Sequence, residues 1–237
     1  MALPKIGYPT YELDLPSTGK TIKYRPFLVK EEKVLLLALE SKDEKQVIGA
    51  VKDLLKNCVI SRIKVDQLPS FDLEYLFLKI RAASIGEMIN MTVTCLDDNE
   101  TQAEAQININ EVEVLKPEGH DKKIMFDSTT GIVMKYPSMQ QFVEREFLQK
   151  DLKTEEVYDF IADSIDQIFD DEEVYDSSTT TKKEFRTFVD SLTTKQFEKI
   201  QQFYATCPKL SHSFKVVNPK TGKESDYTIE GLQSFFA

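Results

Sequence analysis

The apolar residues of this chain change period at Gly86, and that change limits the fold more than any other feature. Before it, Phe71, Leu73, Tyr75, Leu76, Phe77 and Ile80 are too dense for one narrow stripe. They predict a helix that starts after Ser70 and lies at the centre of its layer. After it, Met88, Asn90, Thr92 and Thr94 alternate with Ile89, Met91, Val93 and Cys95, as in a strand with one buried face. Asp97-Asp98-Asn99 turns the chain, and Ala103 to Ile109 returns as the partner strand. A dense helix running into a hairpin makes the fold class α+β, with helical layers carrying β-hairpins in two similar-sized halves.

The same reading extends to both ends. Tyr11, Leu13 and Leu15 alternate, Pro16-Ser17-Thr18-Gly19 turns, and Ile22 and Tyr24 resume, which predicts a hairpin. Phe27 to Leu39 holds an almost continuous apolar block and predicts a largely buried helix. Asp43 with Gln46 forms a capping pattern before Val47, Ile48, Val51, Leu54 and Leu55. A two-strand unit is expected from Ile124 to Tyr136, pivoting near Thr130-Gly131, and Pro137 marks the expected boundary between domains 1–137 and 138–237. Beyond it, Ser138/Gln141, Thr181/Glu184 and Thr193/Gln196 repeat the capping signature. Val157, Phe160, Ile161, Ile165, Ile168 and Phe169 predict one amphipathic helix capped by Thr154. A final hairpin, His212 to Val217 and Ser225 to Ile229, leads to a short helix ending at Phe235-Phe236.

Composition narrows the function. With 237 residues and 41% hydrophobic content, the chain can fill one good core or two small ones. A net charge of −10 argues against a nucleic-acid groove, whose affinity comes from clustered Lys and Arg, and favours a basic or neutral protein partner. No apolar run approaches a bilayer span, and Met1-Ala2-Leu3-Pro4 does not open a signal peptide, so residence in the cytoplasm is expected, with no membrane partner. Three widely spaced cysteines, Cys58, Cys95 and Cys207, read as free thiols, Cys58 as a packed small hydrophobe.

Catalytic chemistry needs a positioned base, nucleophile or metal. His120 and His212 have no histidine or cysteine near them in sequence and read as surface or cap residues. The acidic run Asp170, Asp171, Glu172, Glu173 with Asp176 lacks the alternating ligands and central glycine of a calcium loop. It reads as a solvated helix end or a face for a basic partner. Gly19-Lys20-Thr21 imitates the end of a phosphate loop, but Asp14 stands where its first glycine is needed. In zinc ribbons a turn carries two cysteines two residues apart. Cys95-Leu96-Asp97-Asp98 has one of them, and Asn218-Pro219-Lys220-Thr221-Gly222-Lys223 has the shape with Asn and Thr at the thiolate positions. Ordinary turns are the favoured reading, and neither metal nor cofactor is expected.

Three segments together resemble one family. The first runs from Leu15-Pro16-Ser17-Thr18-Gly19-Lys20 through Tyr24-Arg25-Pro26-Phe27-Leu28-Val29-Lys30 to Glu40-Ser41. The second runs from Leu68-Pro69 through Asp72, Tyr75 and Leu76 to Ile80-Arg81-Ala82-Ala83-Ser84-Ile85-Gly86-Glu87, and the third is Glu230-Gly231-Leu232-Gln233-Ser234-Phe235-Phe236. The combination resembles the baseplate hub assembly proteins of T4-like bacteriophages. The resemblance implies a non-enzymatic assembly chaperone or minor hub component, found in the host cytoplasm during tail assembly or in the virion baseplate. Its partners would be hub proteins, and oligomeric state is left open. The resemblance also implies cysteine pairs at the hairpin turns in some relatives, a pattern from which this chain departs. The alternative class is a small-molecule or metal-dependent enzyme on an α+β scaffold.

Two surfaces are expected to meet a partner: the terminal Leu232, Phe235 and Phe236, and the acidic stretch from Asp170. Arg25 is a third candidate, because Pro26 holds it extended at the hairpin edge just before a helix. It can serve a partner or form an internal ion pair that fixes hairpin to helix.

Overall fold

The computed structural model describes residues 7–138 and 154–231, together with Ser234. It is α+β, and the chain divides into two compact units, Met1–Leu115 with Lys209–Ala237, and Lys116–Pro208.

The first unit opens with an antiparallel hairpin, β1 (Tyr11–Asp14) and β2 (Thr21–Tyr24), in which Leu13 faces Ile22. It continues into α1 (Val29–Ser41), α2 (Glu44–Cys58) and α3 (Ser70–Ile85). Lys42 takes a left-handed conformation that ends α1, and the Asp43 carboxylate accepts the Lys45 and Gln46 N–H groups that start α2. Val51, Leu54, Leu55 and Cys58 form the buried stripe of α2. Leu73, Leu76, Phe77, Leu78 and Ile80 are almost completely buried, each contributing about 1.5–3 kcal/mol, so α3 is the core of the unit. Gly86, at φ 110°, ends α3 in a conformation that side chains avoid.

Next come β3 (Met88–Thr94) and β4 (Gln102–Asn108), a hairpin that buries Ile89, Met91, Ala103, Ala105 and Ile107 on one face. The short strand β5 (Glu113–Leu115) is the last element before the chain leaves the unit.

The second unit is an insertion. It holds β6 (Lys123–Met125), β7 (Gly131–Met134), α4 (Thr154–Asp163), β8 (Ile165–Phe169), β9 (Val174–Asp176), α5 (Lys182–Asp190) and α6 (Thr194–Ala205). The four strands form an antiparallel meander in chain order. Ile132, Met134, Ile161, Ile165, Phe185, Val189, Ile200 and Phe203 share its core. The capping boxes at Thr181/Glu184 and Thr193/Gln196 form with both reciprocal bonds. Gly131 leaves no room for a side chain, since a Cβ there would lie 2.5 Å from the Ile124 carbonyl oxygen.

Back in the first unit, β10 (Lys209–Val217) pairs with β5 on one side and β11 (Glu224–Glu230) on the other. Two strands that are 94 positions apart at Leu115 and Lys209 therefore become neighbours, while the inserted segment forms its own core.

Three expectations differ from this arrangement. The boundary expected at Pro137 falls inside the second unit, because β7 pairs with β8 across it. The amphipathic helix from Val157 stops at Asp163: Ser164 caps it with bonds to Phe160 and Ile161 carbonyls, and Ile165 to Phe169 forms a strand. Ile165 and Ile168 sit three apart, which fits a helix, but pairing of Ile168 with Ile132 decides the outcome. Finally, α1 is not largely buried, for it covers only Glu31, Leu35 and Ala38 completely. Gln141 and the helix expected after Ser138, the Thr154 side chain expected as a cap, and the terminal helix lie outside the described residues.

Candidate functional site

The residues that carry the resemblance near the N-terminus are held by internal bonds. Arg25 is buried, and its Nη2 donates to Glu31 Oε1 at 3.0 Å while Nη1 donates to the Pro26 carbonyl at 2.8 Å. The other Glu31 oxygen accepts the Leu28 N–H at 2.7 Å. Burial pushes the Glu31 carboxyl up, but the bonds from Arg25 and Leu28 outweigh it and hold the group below the usual carboxylate range. Arg25 thus forms the internal ion pair and has little surface to offer a partner. Its backbone N–H also bonds to the Cys58 carbonyl, joining the hairpin to the end of α2.

Three further bonds complete this anchor. Both the N–H and the hydroxyl of Ser17 donate to the Asp72 carboxylate in the first turn of α3. Burial raises the Asp72 pKa against the opposing effect of those bonds. Ser84, at the far end of α3, accepts the Phe27 N–H at 3.0 Å. The Cys58 thiol is fully buried and pushed up to about 11 by that burial, which makes it unreactive.

The two hairpin turns singled out in the sequence come together, although 120 residues separate them. Asn218 Nδ2 donates to Asp97 Oδ1 at 2.8 Å and to Asp98 Oδ2 at 3.2 Å, and Thr221 Oγ1 donates to Asp97 Oδ2 at 2.6 Å. The Tyr227 hydroxyl donates to the Thr94 carbonyl and accepts the Leu96 N–H. Asn218 is buried, as is Cys95. Hydrogen bonds to Asn218 and Thr221 hold Asp97 below its ordinary pKa, and those from Thr101 and Glu100 do the same for Asp98. The junction closes through side-chain hydrogen bonds between the tips. Among the described residues, no group of three or more His, Cys, Asp or Glu is placed to hold a metal ion.

His120 is a core residue of the second unit rather than a surface one. The residue is 7% exposed, and its ring stacks on Tyr136 and Phe203 and bonds through Nδ1 to Thr206 Oγ1 and through Nε2 to the Tyr136 hydroxyl. Burial, aided by Lys116, lowers its pKa and favours the neutral ring. His212 stacks on Phe214 at half-exposure and bonds to the Glu111 carbonyl. Neither histidine touches a carboxylate, thiol or second histidine in these bonds, so neither is set up as a general base.

Exposed groups offer a different kind of chemistry. The acidic run forms the turn between β8 and β9, not a helix end: Asp170 Oδ1 accepts the Glu172 and Glu173 N–H groups. Asp171, Glu172 and Glu173 face solvent beside exposed Val174 and Tyr175 on the edge strand. A second exposed surface lies on α1, with Val29 80%, Leu36 53% and Leu37 55% exposed. Sequence reasoning missed this one. Leu232, Phe235 and Phe236 lie outside the described residues.

The family model described as T4 bacteriophage base plate protein matches residues 8–237. The chain belongs to that family. No curated protein and no solved structure matches it. Membership supports a structural or assembly role in the phage baseplate. The match of this baseplate protein includes both units, the N-terminal anchor and the turn junction. Its resemblance-bearing residues are accounted for as scaffold: Ser17, Arg25, Glu31, Asp72 and Ser84 bond to one another or to nearby backbone.

Proposed function

We propose that this baseplate protein acts without catalysis, as an assembly chaperone or minor component of the contractile tail's central hub, by stoichiometric binding to hub proteins. The family match over nearly the whole chain carries the reading. The acidic turn supports it. Asp171, Glu172 and Glu173 project beside exposed Val174 and Tyr175, a charged rim next to an apolar contact, which suits a partner surface bearing Lys or Arg around an apolar patch. Leu232, Phe235 and Phe236 are the second surface proposed for the hub partner, and Arg25 is withdrawn from that set because its guanidinium is used internally.

The protein works in the host cytoplasm while tails assemble. Whether it stays in the virion is decided by quantitative mass spectrometry of purified virions beside infected-cell lysate. A fixed number of copies per virion marks a hub component, and presence in hub intermediates alone marks a chaperone. Absence from both hub intermediates and virions would remove the proposal.

A further inference from the structure

We propose that the exposed face of α1 is a self-association surface, which pairs antiparallel with the same face of a second copy of this chain. Val29, Lys33, Leu36, Leu37 and Glu40 lie along the solvent side of the helix, opposite the buried Glu31, Leu35 and Ala38. Three of those five are apolar, on a helix long enough to present about three turns. Single exposed apolar residues are ordinary, but a stripe of them at helical spacing marks an interaction surface.

Charge identifies the occupant. Lys33 lies in the N-terminal half of α1 and Glu40 in its last turn, an order that opposes the helix dipole, which favours acids at the start and bases at the end. Among the described residues neither has an ion-pair partner; Lys30, by contrast, lies 3.5 Å from Glu31. The two are seven positions apart, about two turns, and so fall on one line. When a second copy is turned antiparallel about an axis between Leu36 and Leu37, Lys33 of each meets Glu40 of the other, and Leu36 meets Leu37. A partner of uniform charge would leave one of the two groups opposed. The self-complementary pattern is that of a two-fold contact, the commonest symmetry among oligomers.

Two 13-residue helices bury on the order of 1,000 Å² together, the weak end of specific interfaces, so the dimer should have a micromolar Kd. The test is sedimentation velocity of the full chain at roughly 50 µM, well above such a Kd. The wild type should be a dimer. Lys33→Glu and Glu40→Lys should each weaken it about tenfold, since two symmetry-related pairs become repulsive. The double swap Lys33→Glu/Glu40→Lys should restore it, and Leu36→Glu/Leu37→Glu should give a monomer whose melting temperature matches that of the wild type diluted below its Kd. A monomeric wild type overturns the proposal, as does a dimer indifferent to these changes or a swap that fails to restore it. A steep fall in melting temperature for the leucine variant would show that the chain itself covers the face, with the same consequence. None of these outcomes depends on the hub role, which is read from virions and hub intermediates.

Discussion

Removing Glu31 should destabilise the first unit far more than an ordinary surface carboxylate would. The Arg25 and Glu31 side chains are only 8% and 4% exposed, and Glu31 satisfies both the guanidinium at 3.0 Å and the Leu28 N–H at 2.7 Å. Glu31→Ala leaves a buried cation without its anion, a loss of about 3–5 kcal/mol. Replacing both partners with apolar residues, as in Arg25→Met/Glu31→Leu, removes the uncompensated charge and should cost about 1 kcal/mol or less. The sign with pH follows from the lowered carboxyl. The stabilisation is full above the unfolded value near 4.5 and is lost as pH falls through the lower folded value. Urea unfolding at pH 7, followed by circular dichroism and by hydrogen exchange of α1 and α2 amides, separates this unit from the other. A cost below about 1 kcal/mol for Glu31→Ala would refute the buried-pair argument, as would a double variant no better than the single one.

Other consequences concern the junction and the second unit. Asn218→Ala removes both bonds to the Asp97 and Asp98 carboxylates and should cost about 2–3 kcal/mol, read as a lower urea midpoint with an unchanged slope. Gly131→Ala should destabilise the β6–β7 pair by about 1–3 kcal/mol, because the Ile124 carbonyl cannot move without breaking the ladder; unchanged thermal unfolding would count against that crowding. His120 has a folded pKa below its ordinary 6.5, so the unfolded chain takes the proton first and stability should decline as pH falls below about 6.5. His120→Gln should flatten that slope, and identical pH profiles for the two proteins would contradict the burial argument.

Local signals in the sequence proved sufficient for most elements. The capping pairs at Asp43, Thr181 and Thr193 start the helices they predict, since each cap depends only on residues within one turn. The hairpins around Pro16-Ser17-Thr18-Gly19, Asp97-Asp98-Asn99 and Asn218 to Lys223 follow from turn residues between alternating segments. What sequence could not reveal was set by distant partners. Ile165 and Ile168 satisfy a helical spacing, and only pairing with β7 makes them a strand. The apolar block of α1 carries no mark of which residues face inward, so the exposed Leu36 and Leu37 were hidden within an expected core helix. The insertion of the second unit between β5 and β10 depends on contacts nearly a hundred residues apart, whereas Pro137 is only a local break. The meeting of Asp97 with Asn218 and Thr221 is equally long-range, though the shared shape of the two turns pointed to both.

The hub-assembly reading is tested most directly in phage that lack this gene, complemented with wild-type protein or with a variant carrying lysine at 171, 172 and 173, which leaves the turn-forming Asp170 in place. Tails with complete baseplates are counted by electron microscopy. The account predicts none without the protein, normal numbers with the wild type, and few with the lysine variant, although that variant should fold with an unchanged circular dichroism spectrum. Normal baseplates in the absence of the protein would contradict it.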